Sequence, residues 1–424
     1  MFTKIFHCAM YILLALCFTA SLGLSEKETQ SFSPDLVAHE WGTFTSIAGT
    51  NGQAVDWLPL AGPADLPDFV EHFRNASFKI GLRGTVRMET PVLYFYTPRE
   101  TNISVRVAFS KGLITEWYPR ASSIGPTGRL SDQTLYAQSA AGSIAWDSVR
   151  IMPNLAAEFP QDNRNSHYYA ARETSSAPLR VRTLGRNQEE KFLFYRGVSV
   201  VPLPISATLT REGKLLARNV LHEEIPSVFL FERRGKKLGY RIGGALQGEV
   251  ILDAPDLTAT IDSISSYLQE ILVAQGLYPE EAHAMLETWH DSWFEEGSRL
   301  FYIVPARFLD GILPLSINPI PAQTVRVFVG RLEILSPATE GAVENAVLTR
   351  DNVMLNNYRR FLEPILQSIL AKESNPARLR RLQSCLNSYY HSEIQENVNT
   401  WNRSRPSPAA SDEWVVGVGY SLVK

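Results

Sequence analysis

The sequence predicts a mainly β protein with α-helix added: a β-sandwich, jelly-roll or immunoglobulin-like in order, braced by a C-terminal helical subdomain. Three observations carry this expectation. Short runs alternate apolar and polar residues between residues 35 and 255, with turn residues between them. Arg211–Lys214 and Arg233–Lys236 each join two apolar runs, as hairpin loops do. From residue 256 onward the apolar spacing changes to that of amphipathic helices.

Taken in order, residues 1–25 have the build of an export signal. Lys4 supplies a positive n-region, Ala9–Ala20 is apolar, and Ser21, Gly23 and Ser25 offer small residues for cleavage. The apolar run is shorter than the roughly 20 residues a membrane-spanning helix needs. The expected product is therefore exported and has no membrane span after cleavage, an uncleaved anchor being the alternative. Of the three cysteines, Cys8 and Cys17 leave with the signal, and Cys385 alone cannot form an internal disulfide. That pattern favours a bacterial periplasm or exterior over a disulfide-rich secretory pathway. A net charge of −3, without a concentrated basic face, argues against a nucleic-acid binder.

The sandwich is expected over residues 35–255. In Val37–Ser46, His39, Trp41, Thr43 and Thr45 fall on one face, with Glu40 and Phe44 on the other. Arg87–Tyr96 is a strong strand in which simple alternation puts Glu89 with Leu93 and Phe95. Glu116 follows on a further strand, Leu113–Tyr118, which would neighbour it. Two carboxylates on neighbouring strands, near Trp41, Trp57, Trp117 and Trp146, suit the acid and base, or acid and nucleophile, of a carbohydrate-active enzyme. The plainer reading is glutamates that point to solvent or pair with an arginine such as Arg87 or Arg120. Residues 121–142 are expected to form a long surface loop.

Residues 256–401 are expected to form the helical subdomain, with strands near 300–304 and 325–335 and a proline-rich loop at 305–323. Asp256 is placed as the cap of the first helix and Pro279 at the start of the second. Asp351 opens a third, bent at Pro364, and Asn375-Pro376 a fourth. Residues 402–412 form a linker, and 413–424 alternate as a strand returning to the sheet. On the Pro279 helix, His283, Glu287 and His290 share one stripe at about 100° per residue. Two imidazoles and a carboxylate, with His39 as a fourth ligand, would suit a divalent metal such as zinc in a hydrolase. The plainer reading is a core-facing helix with partly buried histidines.

HEWGTFTSIAG, RMETPVLYFY, GLITEWYP, SWFEEGSRLFYIVP and VRVFVGRLEI resemble segments of a family of uncharacterised exported bacterial proteins. The resemblance spans most of the mature chain. It implies export and a shared fold, and it brings no activity or site residues with it. No glycine-rich phosphate loop, nucleophile elbow, HExxH or CxxC motif is present. The leading expectation is therefore a protein that binds a ligand, glycan or envelope partner. The metal-dependent hydrolase and the paired-glutamate enzyme are the alternatives.

Overall fold

The computed structural model describes residues 31–61, 65–72, 82–126, 141–163 and 166–403. The expected export signal at residues 1–25, all but the start of the expected 402–412 linker and the expected 413–424 strand lie outside them. The strands are β1 (Phe32–Ala48), β2 (Glu71–His72), β3 (Val86–Tyr96), β4 (Thr101–Phe109), β5 (Gly112–Tyr118), β6 (Ser123–Gly125), β7 (Gly142–Ile151), β8 (Leu179–Thr183) and β9 (Arg186–Glu190). They continue as β10 (Leu193–Ser199), β11 (Ile205–Leu209), β12 (Leu215–Asn219), β13 (Ile225–Arg234), β14 (Lys237–Leu246), β15 (Glu249–Leu252), β16 (Gly297–Ile303), β17 (Leu315–Asn318) and β18 (Ile320–Ile334).

A nine-stranded sheet runs β14-β13-β16-β18-β1-β3-β10-β5-β2. Its pairs are antiparallel except that β1 lies parallel to β18, from Phe32 beside Ile320 to Ala48 beside Ile334. A second sheet, β17-β4-β7-β8-β9 with β6 on β7, and a small sheet, β11-β12-β15, cover one face of it. The core between them includes Phe44, Leu93, Phe95, Phe109, Trp146 and Tyr195, so the chain is a β-sandwich. Both expected hairpins are present, joining β11 to β12 and β13 to β14.

The other face of the large sheet carries helices in two groups. Helices α1 (Ile261–Ala274) and α2 (Pro279–Trp293) pack Leu268, Met285, Trp289 and Trp293 against Trp41, Tyr94 and Phe301. Short α3 (Ala306–Ile312) follows on the sandwich side, where Leu309 joins the inner core. The second group is α4 (Pro337–Thr349), α5 (Asn352–Asn357), α6 (Leu362–Leu370) and α7 (Pro376–Arg403). It buries Val343, Ile365, Leu382 and Leu386 with Ile47 and Trp57. No helix among the described residues is long and apolar enough to cross a membrane.

Several local expectations change. The strands near 300 and 330 are not accessories of the helical part: β16 and β18 sit between β13 and β1 in the large sheet, so the sandwich is incomplete at residue 255. The 305–323 segment is not a loop; it holds α3 and β17, and β17 pairs with β4 of the second sheet. The first helix starts at Thr260, whose hydroxyl accepts from the Ser263 N–H while the Ser263 side chain answers the Thr260 N–H. Leu257 is left outside it because Ala259 instead bridges to Leu238. The Asp351 helix is interrupted at Tyr358–Phe361, which places Pro364 in the first turn of α6, where its missing N–H costs nothing.

A charged seam at aligned bulges: the candidate functional site

Between the two helix groups the large sheet presents polar rather than apolar side chains. Along β1 the alternation is regular: Trp41, Thr43, Thr45 and Ile47 face the helices, while Phe44 enters the sandwich core. On β3 it breaks. Trp41 pairs with Val92 and Thr43 with Glu89, so β3 spends one residue more than β1 across this interval. The surplus falls at Thr90, whose φ of 46° is a left-handed conformation that a β-branched residue adopts only under strain. Met88 therefore joins Leu93 and Phe95 in the sandwich core, and Glu89 turns to the helix side.

Two further irregularities stand beside this one. β10 shifts register against β3 between Phe194 and Gly197, and against β5 between Arg196 and Gly197, leaving Thr115 as the surplus residue of β5. Bulges of this kind re-aim side chains and concentrate beside functional sites. Here the β3 bulge turns Glu89 to the helix face, where the regular alternation of Phe194, Tyr195 and Arg196 along β10 already places Arg196.

Glu89 is fully buried. It accepts a hydrogen bond from the Thr45 hydroxyl at 2.7 Å and lies 3.2 Å from Arg87 Nε. Arg360, at the start of the second helix group's inner turn, also pairs with it. Arg196 grips Asp65 with two parallel bonds of 2.9 and 2.8 Å, the fork geometry that makes guanidinium–carboxylate pairs specific. Burial opposes ionisation of Asp65, but the charge and hydrogen bonds of Arg196 win and hold its carboxyl well below the usual range. Three guanidiniums (Arg87, Arg196, Arg360) thus meet Glu89 and Asp65, and Glu116 on β5 adds its charge to Arg87 and Arg196. Arg196 also lies over the Trp289 ring, 6.0 Å from its centroid.

The seam continues across β18 and β16. Arg299 Nε and Arg331 Nε each donate to Glu333 Oε1 at 2.7 Å. Arg299 further donates to the carbonyls of Trp293 and Glu295, and Arg331 to that of Ser292, so both guanidiniums clamp the end of α2. Burial pushes the Glu295 carboxyl up, against the pull of Arg331 and Arg299. Several buried donors along this face, Thr43 Oγ1, Arg196 Nε, Arg360 Nε, Trp289 Nε1 and Trp293 Nε1, find no hydrogen-bond partner among the described residues. Burying this much charge costs several kcal/mol per ion unless it is well compensated. Such concentrations occur at functional sites, and structural ion-pair networks share the signature.

The other candidate residues are dispersed. Glu116 pairs with Arg196 across β5 and β10 and accepts from the Thr115 hydroxyl. Strand β10 separates it from β3, so Glu89 and Glu116 are two strand spacings apart, about 9.6 Å between backbones. His283, Glu287 and His290 do share a face of α2, but it is the exposed one, because Met285, Trp289 and Trp293 take the buried side. His290 contacts Asp291, which also meets His167. His39 lies under the opposite side of α2, fully buried. Its Nδ1 is 2.8 Å from Glu281 Oε2, Tyr96 donates to Glu281 Oε1 at 2.8 Å, and the Tyr278 ring centroid is 4.5 Å away. The four proposed metal ligands therefore do not converge. Among the described residues no group of three or more His, Cys, Asp or Glu is arranged to hold a metal ion.

Sequence reasoning found Glu89 and named Arg87 as a partner, which the structure bears out, but it also set Glu89 on the face of Leu93 and Phe95 and next to the strand of Glu116. Arg196, Arg360 and Asp65 were missed, as was Glu281. The available signals were Thr90-Pro91 inside a strand and the two buried-strand arginines Arg196 and Arg331. No protein-family model matches this chain, nor does any curated protein.

Proposed function

We propose that this is an exported binding protein whose charged seam receives a carboxylate of its ligand, an acidic glycan or carboxylate-bearing envelope polymer. The observation that supports it is the set of three guanidiniums, Arg87, Arg196 and Arg360, gathered on one face around Glu89 and Asp65, with Glu116 of the neighbouring strand acting on Arg87 and Arg196 as well. Guanidinium forks suit carboxylates in geometry and in charge. Asp65, whose side chain is 41% exposed, marks the solvent side from which such a group would enter. Export is supported by the composition of residues 1–25.

The paired-glutamate enzyme fits this geometry less well. Glu89 sits between two arginines and so serves poorly as a proton donor, and β10 intervenes between it and Glu116. The hydrolase reading has the exposed α2 stripe alone, without His39.

The test is calorimetric titration of galacturonic acid oligomers, with neutral galactose oligomers in parallel, into the wild type and Arg360→Met. Saturable binding of the acidic oligomers is expected, weakened about tenfold or more in the variant, as for loss of a hydrogen bond to a charged group. Equal affinity for the neutral oligomers, or unchanged binding by a folded Arg360→Met, would overturn the reading.

A further inference from the structure

Away from the seam, a cavity of about 810 Å³ opens between the end of β1, the small sheet, α4 and α6. Its size is that of a small-molecule site, and Val55, Leu209, Leu335 and Ala371 contribute apolar wall. One group lining it is buried and only half used. Glu363 is 2% exposed. Its Oε1 accepts from Arg83 Nη2 at 3.3 Å and from the Tyr390 hydroxyl at 3.1 Å. Its Oε2 finds no hydrogen-bond partner among the described residues.

The other charges lining the cavity are engaged with one another. Lys372 Nζ lies 2.6 and 2.8 Å from Glu340 Oε1 and Oε2, the first of which also accepts from the Ser368 hydroxyl, and Arg83 Nε donates to Asp56 at 2.8 Å. Asp56, Glu340 and Glu363 thus outnumber Arg83 and Lys372 by one carboxylate. A buried carboxylate oxygen with free lone pairs can only accept, and it accepts most strongly from a charged donor. An anionic ligand would be repelled by the same oxygen.

We propose that this cavity binds an aliphatic primary amine, its ammonium donating to Glu363 Oε2 and its hydrocarbon lying along the apolar wall. The site shares none of these residues with the seam, so the two proposals fail or stand separately. Arg83 and Tyr390, already on Oε1, keep the Glu363 carboxylate in place for an incoming donor.

The experiment is calorimetric titration of the full chain at neutral pH with n-octylamine, n-octanol and octanoate. Saturable one-to-one binding of octylamine is expected, with octanol about tenfold weaker or more and octanoate not binding. Glu363→Gln should lose about tenfold or more in octylamine affinity. Ala371→Phe, at an exposed position on the cavity wall, should block binding while leaving the thermal unfolding midpoint unchanged. Octanoate binding as tightly as octylamine, no saturable octylamine binding, or undiminished binding by both variants would each overturn the proposal.

Discussion

Glu89 illustrates how a single side chain can depend on its surroundings. Its carboxylate is the shared counter-ion of Arg87 and Arg360 and accepts from Thr45. Removing it strands two guanidiniums that are 11% and 16% exposed. Glu89→Ala is expected to destabilise the fold by about 3–5 kcal/mol, the usual cost of leaving a buried charge uncompensated. The urea midpoint at constant m-value measures it, and a change below about 1 kcal/mol would mean the cluster is far wetter than its burial indicates. Alternation alone could not place this residue. It was right for Trp41, Thr43 and Phe44, because β1 keeps register with β18 throughout that stretch. It put Glu89 on the wrong face because one surplus residue at Thr90 inverts everything beyond it. Glu281 was legible as a helix-start acid, but its burial against His39 depends on a contact across most of the chain.

At the scale of elements, the register of β16 on β18 sets Tyr302 opposite Gly330. A Cβ at Gly330 would come within 2.0 Å of the Tyr302 ring, and Tyr302 is buried. Gly330→Ala is therefore expected to destabilise by about 1–3 kcal/mol through overpacking. Gly341, exposed in α4 with nothing near its Cβ position, gives the opposite sign. Gly341→Ala should stabilise by about 0.5–1 kcal/mol through helix propensity. Thermal unfolding of the two variants side by side checks both signs. Helix starts were readable where a side chain caps locally: Asp351 accepts from the Met354 N–H, and Asn375 from Ala377 and Arg378. Asp256 failed because Thr260 offers a reciprocal cap four residues later. Helix α4 was overlooked, although Ser336-Pro337 is a good cap and first-turn pair.

For the molecule as a whole, the class of fold was legible and its closure was not. Strand periodicity and helix patterning survive averaging over a chain, whereas strand order depends on pairings between distant segments. Because β16 and β18 lie in the middle of the large sheet, a fragment of residues 31–255 would expose the edges of β13 and β1 with nothing between them. Such a fragment is expected to lack a cooperative urea transition and near-ultraviolet dichroism. A sharp two-state transition for it would contradict this assignment of the core.

The parallel junction of β1 with β18 also bears on how the chain matures. A ribosome releases Phe32 long before its partner Ile320, so the first long strand must wait beside an unfilled position. A nascent polypeptide in that condition cannot complete the large sheet until Ile320 has emerged. It also presents a bare, sticky edge for as long as it waits.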